Sequence, residues 1–290
     1  MQAGKSRRSI IVSVASMLMM LSCLGHGWAQ TLNGPSGLAL DAKGNLYVAN
    51  EYGNQVLVYN PNYVLQTTKS ITSGLNAPTG VAFDSKGNVY VANFNNANIN
   101  QYSPAGVLNT RFSITQGIIS PVAITVDGLD DLYVLNFPAR NQHITVYPLA
   151  DSINGPFQLP PTITPAAGLG PYGIAVHGGD LYIGTNFDWE KGFVSEWLAG
   201  VGGFPVIQST KNGVAALTTD RAGDFYVVTG AGEVDFWGPK GGPVVILQGF
   251  SFPPMDIAVD SARGRIYLSI QQMNQVLVYN TKGTLLHIIQ

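Results

Sequence analysis

Few residues of this 290-residue chain have the types and spacing that chemistry needs. Beyond residue 29 there are three histidines, His143, His177 and His287, on distant segments with no paired spacing and no cysteine beside them, so no zinc set forms. No serine stands in a nucleophile elbow with a recognisable base. No glycine-rich loop opens a helix that would cradle a phosphate. Glu51, Asp188, Glu190 and Glu233 stand in loops, where a solvated carboxylate is ordinary. Asp256 is odder, because it fills a slot that is Gly37, Gly80, Ala123, Gly173 or Ala216 in five related segments. A carboxylate there, with amide oxygens from Asn50, Asn93 and Asn136, is the one set that approaches a calcium site. Calcium takes about six to eight oxygens, usually with several carboxylates. One carboxylate is a poor start, so no obligatory cofactor is expected, and calcium is the one ion these residues bring into question.

The related segments come from a repeat. Pro78-Thr-Gly-Val-Ala-Phe-Asp-Ser-Lys-Gly-Asn-Val-Tyr-Val-Ala-Asn93 reads as an apolar strand, a tight Asp-x-x-Gly turn and a second apolar strand ending in a polar residue. With five further copies, the second-strand tyrosine stands at Tyr47, Tyr90, Tyr133, Tyr182, Tyr226 and Tyr267, at intervals of 43, 43, 49, 44 and 41 residues. The first strand ends in Asp41, Asp84, Asp127, Asp220 or Asp260, with His177 in the fourth copy. Proline opens five copies, and Val214 replaces it in the fifth. A third strand carries its own column, Tyr59, Tyr102, Tyr147, Trp197, Trp237 and Tyr279, best explained as wedges between neighbouring units. Copies one and six share Asn-Gln-Val-Leu-Val-Tyr-Asn at 54–60 and 274–280.

The first two strands of each copy are almost continuously apolar, the pattern of strands covered on both faces. With no helical period after residue 29, a period near 43 residues predicts an all-β fold, a six-bladed β-propeller of four-stranded antiparallel blades. Fourth strands are expected at Val64–Ile71, Leu108–Ile114, Val244–Leu247 and Leu285–Ile289, the last closing blade six with the C-terminal segment. Strand direction then puts the loops after each second strand on one face. Those loops carry Tyr52, Phe94, Phe137, Phe187 and Trp189, with Tyr172 and Phe252 where first strands begin. Rings on several loops around one axis suit a platform for a sugar or a peptide, although any one ring is more often used to seal its own blade.

The copies resemble the NHL family of six-bladed propellers over essentially all of residues 33–290. The motif is Pro-x-Gly-(Val/Ile/Leu)-Ala-(Val/Phe/Leu)-Asp, then Gly-Asn-(Leu/Val)-Tyr-Val-Ala, then Asn-x-(Val/Ile), clearest in copies one and two. This chain has Asn50, Asn93 and Asn136 where the family commonly has Asp. It has Gln55 and Gln275 near where an Arg is usual, which predicts an amide network in place of an Asp–Arg pair. The family includes binding modules, scaffolds and some enzymes. The resemblance implies a non-catalytic binding module for a protein, peptide or glycan. The alternative it implies is a metal-dependent hydrolase or lyase like the propeller lactonases or the peptide-amidating lyase.

Residues 1–29 read as a signal peptide: basic Lys5, Arg7 and Arg8, an apolar stretch from Ile10 to Leu24, and small residues at Gly27 and Ala29. Cleavage before Gln30 leaves residues 30–290 as a single domain, secreted or periplasmic. A partial lipobox, Leu21-Ser22-Cys23, makes lipid anchoring at Cys23 the alternative. Losing the leader removes three positive charges and shifts the formal net charge from −2 to −5, which argues against a nucleic-acid partner. No membrane span is expected, and a monomer is. Cys23 is the only cysteine, so the exported chain is held by packing alone.

Overall fold

The hairpin turns show how each unit starts. Asp84 ends a first strand, and its Oδ1 accepts the N–H groups of Lys86 and Asn88 at 3.0 and 2.8 Å, while Oδ2 accepts Asn88 Nδ2 at 2.7 Å. Gly87 supplies the positive φ (79°) that the turn requires. Asp41, Asp127 and Asp220 accept the same pair of backbone N–H groups, and Asp260 accepts Arg263 N and its guanidinium. The fourth copy uses another turn, in which Gly178 and Gly179 both take positive φ and His177 faces Asp180 across the hairpin.

This computed structural model describes residues 31–137, 144–148, 157–158, 171–188, 191–197, 206–211, 213–238 and 241–290. Its strands lie in one unit, Leu32–Gln290. They form six antiparallel sheets whose members pair in chain order, so each repeat is one blade. The inner strands are Pro35–Leu40, Pro78–Phe83, Pro121–Val126, Pro171–His177, Val214–Thr219 and Asp256–Asp260. Five inner strands open with a register shift near their first residue, and the sixth, which starts at Asp256, has none. The architecture is a six-bladed β-propeller.

Fourth strands match expectation at Leu108–Ile114 and Leu285–Ile289 and run slightly longer at Gly241–Leu247. Blade one differs. Its sheet has three strands, and the segment expected as its fourth makes only isolated bridges, Tyr59 to Leu65 and Val56 to Ile71. The turn at Gln66–Ser70, where Gln66 O accepts Lys69 N and Ser70 N, draws the backbone out of the ladder between those bridges.

Packing follows the two columns. All six second-strand tyrosines are buried. Some reach across to the next blade, as where Tyr47 meets Phe83 edge-on at 4.8 Å and Tyr182 meets Phe225 at 4.7 Å. In the third-strand column Tyr59, Tyr102, Tyr147 and Trp237 are buried and Tyr279 is half-buried; the Trp197 side chain is outside the described residues.

Blade six is completed by its own C-terminal strand, as expected, and apolar residues of blades one and six share one cluster that includes Leu38, Val48, Leu57, Tyr267, Val276 and Ile289. Hydrogen bonds add to that packing. Ser269 Oγ donates to Ser36 O at 2.6 Å, Gly34 N to Asn274 Oδ1 at 2.7 Å, and Arg265 to Pro61 O at 2.6 Å. Arg265 also lies 5.0 Å from the Tyr63 ring centroid, and Tyr63 stacks on His287 at 4.4 Å. Among the described residues no helix is long and apolar enough to cross a membrane.

Candidate functional site at the mouth of the axial cavity

The six inner strands surround an axial cavity of about 700 Å³. Its two ends follow from strand direction. One end is ringed by the Asp-x-x-Gly turns just described. The other, the mouth, is built in tiers, because equivalent positions of successive blades stand at the same height.

The first tier is the position after the Asn, Thr or Ile that ends the second strand in five blades: Glu51, Phe94, Phe137, Gly230 and Gln271, with Phe187 at the equivalent position inside the longer strand Asp180–Asp188. Backbone bonds anchor these positions. Glu51 N donates to Gly34 O, Phe94 N to Ala77 O, Phe137 N to Ser120 O and Gly230 N to Gly213 O, at 2.8–3.3 Å. With its amide held, the side chain has only the mouth or the solvent to turn to. Glu51, Phe94, Phe137 and Gln271 line the cavity. The second tier follows the residue that opens each copy, Pro171 or Pro254 for example, and includes Tyr172 and Met255, each 40% exposed. Phe137 is 36% exposed and Phe94 half-buried. These apolar groups face a concavity, where exposure is informative in a way that scattered surface apolar residues are not.

The third tier is Gly37, Gly80, Ala123, Gly173, Ala216 and Asp256. Backbone of the next blade passes close by: a Cβ on Gly37 would lie 2.2 Å from Thr79 O, and one on Gly173 would lie 2.8 Å from Leu217 N. Glycine, which has no Cβ, is therefore required at those two positions. Asp256 is tolerated because its side chain bonds what it approaches. Oδ2 accepts Leu38 N of blade one at 2.7 Å, and Oδ1 accepts Ile257 N at 2.8 Å. Protein surrounds the carboxylate, and what it sees of solvent is the cavity. Loss of hydration raises its pKa to about 7 against the lowering effect of its two N–H donors. Glu51 is raised too, by burial, with the Gln271 amide acting the other way; Gln271 Nε2 donates to Glu51 Oε2 at 2.7 Å.

The expected site residues divide. Phe94 and Phe137 are at the mouth. Tyr52 is not a lining residue: its ring lies over Gly34, where a Cβ would come within 2.4 Å of it, and its hydroxyl donates to Gln271 Oε1 at 3.3 Å. Phe252 is 43% exposed and lies off the lining. The Phe187 side chain, Trp189 and Glu190 are outside the described residues. Glu51, Gln271, Tyr172 and Met255 complete the mouth. The signal for Glu51 and Gln271 was in the repeat, as the positions equivalent to Phe94 and Phe137.

Asn50, Asn93 and Asn136 point into their own blades. Their Oδ1 atoms accept backbone N–H from Asn33, Asn76 and Ile119, each 17 residues earlier, at 2.5, 3.1 and 3.0 Å. In blade two this extends to the amide network expected from the sequence. Asn93 Nδ2 donates to Asn98 Oδ1, Asn98 Nδ2 to Asn100 Oδ1 and Ser113 Oγ, and Asn100 Nδ2 to Gly74 O. With these oxygens turned into the blades and both Asp256 oxygens accepting N–H groups, this donor set does not fit calcium. Among the described residues no group of three or more His, Cys, Asp or Glu is placed to hold an ion.

The NHL repeat family model matches residues 32–59 and 75–102, the first three strands of blades one and two. Blades one and two carry NHL repeats, within a six-bladed β-propeller. No curated protein matches its sequence. Among solved structures, this propeller is similar to a chain from a nidogen/laminin complex, at 17% identity and TM-score 0.65, over 87% of this chain and 92% of that one. It is also similar to Staphylococcus aureus virginiamycin B lyase, in a catalytically inactive histidine-to-alanine form with quinupristin, at 12% identity and TM-score 0.61, over 90% and 86% of the two chains. A gluconolactonase from Xanthomonas campestris follows at 15% identity and TM-score 0.60, over 82% and 85%. At such identities the likeness is one of fold, and it spans binding proteins and enzymes alike.

Proposed function

We propose that this NHL propeller is an exported, secreted or periplasmic, non-catalytic binding module that recognises a peptide or protein segment at the mouth of its axial cavity. The observation that carries the reading is the mouth itself, where Phe94, Phe137, Tyr172 and Met255 present apolar surface around a concavity. Ligand sites characteristically have this make-up: apolar walls with a few polar groups. A glycan would want several free hydrogen-bonding side chains, and here the amide of Gln271 is already engaged with Glu51 and Tyr52. A propeller of the same fold occurs in the nidogen/laminin complex, which supports a protein partner by analogy of fold alone.

One observation favours the runner-up, a propeller hydrolase or lyase: Asp256 has a pKa of about 7 beside a cavity, the range of a working acid or base. Against it, both oxygens already accept backbone N–H groups, and no histidine or cysteine is among the residues lining the cavity. Peptide and glycan arrays probed with the wild type and with a Phe94→Ala, Phe137→Ala variant test the reading. Peptides bound by the wild type and lost by the variant are expected. Binding confined to glycans, or unchanged in the variant, would overturn it.

A further inference from the structure

The cavity has a charge character that its fold does not require. Among the described residues its acidic side chains are Glu51 in the first tier and Asp256 in the third, and no lysine, arginine or histidine is among the described lining residues. Both carboxylates belong to the blade-six/blade-one side of the axis, held there by Gln271 and by Leu38 N. The aromatic groups Phe94, Phe137 and Tyr172 come from blades two, three and four, the next arc of the mouth.

We infer that the group admitted to this cavity is an organic cation, an ammonium or guanidinium on an aliphatic stem, taken between the Glu51 and Asp256 carboxylates and the rings of Phe94, Phe137 and Tyr172. This rests on the mouth being the binding site and names the chemistry it selects. Low-dielectric walls concentrate the field of carboxylates that have no counter-charge among the described lining residues, and an entering cation supplies one. Aromatic faces attract the same charge through the ring quadrupole, while the apolar stem replaces water along the walls. An anion such as a phosphate or a terminal carboxylate meets repulsion at both tiers.

The deeper carboxylate adds a dependence on pH. Asp256 gains its charge as pH rises through about 7, so a cation that keeps its own charge binds more tightly above that value than below it. Among the described residues, the neighbouring strands Pro35–Leu40 and Val214–Thr219 carry no ionisable side chain, and Phe225–Thr229, also packed against the Asp256 strand, carries Tyr226. On Arg265–Ile270, Tyr267 stands opposite Ala258, and Arg265 sits at the far end, opposite Asp260. Glu51 is the other carboxylate of the cavity.

The test is an NMR titration with hexylammonium and with 1-hexanol, which share a stem and differ in charge. The wild type at pH 8 is expected to prefer hexylammonium by roughly tenfold or more, about 1.4 kcal/mol, within the range of a partly desolvated cation contact. The preference should shrink at pH 6, and fall to under about twofold in Glu51→Gln, Asp256→Asn, with hexanol binding retained. Equal binding of the two probes to the wild type, or a preference that survives in the double variant, overturns the inference while leaving the mouth as a binding site. Binding of both probes unaltered by Phe94→Ala, Phe137→Ala overturns the mouth reading itself. Calcium displacing hexylammonium at equimolar concentration would assign the carboxylates to a metal and overturn the inference. Thermal melts of each variant confirm that it is folded.

Discussion

At the turn end of the axial cavity, Asp41, Asp84, Asp127, Asp220 and Asp260 perform one task, each accepting the N–H groups of its own turn. At the mouth end, the equivalent positions of the six blades hold Glu51, Phe94, Phe137, Phe187, Gly230 and Gln271. The same strands make both ends. What repeats in every blade solves a problem that every blade has, an unsatisfied turn or an uncovered strand face. What differs from blade to blade at a fixed backbone position answers to something the blades do not share. The turn end is thus explained by folding, and the mouth, which folding leaves unexplained, is the proposed ligand site.

The largest effect expected within the repeated structure is at the third-strand column. Trp237 is 4% exposed and packs among Val194, Val214 and Leu217, so Trp237→Ala should cost about 3–5 kcal/mol in chemical denaturation and leave mouth binding intact in the folded fraction. A loss under about 1 kcal/mol would mean that the column is not structural.

Asp256 comes next, as the one mouth residue with a large bearing on stability. Its folded pKa, about 7, lies above the unfolded value near 4. The folded state therefore binds the extra proton between those values. The stability tied to this group is fully present below about pH 4 and is lost as pH rises through about 7, with a slope of up to about 1.4 kcal/mol per pH unit in between. Asp256→Asn should flatten that slope in denaturation curves across the window. An unchanged slope would assign it to other groups.

Asp84→Ala sharpens the turn end. It removes acceptors from two backbone N–H groups, Asn88 Nδ2 and the Tyr90 hydroxyl, at a cost of about 1–3 kcal/mol with no change in binding. The smallest effect on stability belongs to the mouth, where Phe94→Ala, Phe137→Ala should cost under about 1 kcal/mol, since both rings are partly exposed. A larger cost would show that they seal the core.

The fold was legible because its determinants are local and recur. Asp-x-x-Gly turns, apolar runs covered on two faces and an aromatic every ~43 residues point to the same blade six times over. The site was legible in half. Phe94 and Phe137 were found by asking which loops share a face. Glu51 was read only as a solvated rim carboxylate, and Gln271 escaped, because large rings drew attention to Tyr52, which lies over Gly34. Asp256 stood out as an exception in a column of small residues, but its partner did not. Leu38 is 218 residues away and meets it only once the ring has closed. Contacts across that closure have no local sequence pattern, whereas those within a blade do.

The distinction between the two ends is tested most directly by measuring two quantities on two variants, the melting temperature and the affinity for one array-selected peptide. Asp84→Ala should lower the Tm by several degrees and leave the Kd within about twofold. Phe94→Ala, Phe137→Ala should hold the Tm near the wild-type value and weaken the Kd by roughly tenfold or more. If both variants lose Tm and affinity together, the mouth is part of the folding problem, and the account of it as a ligand site is wrong.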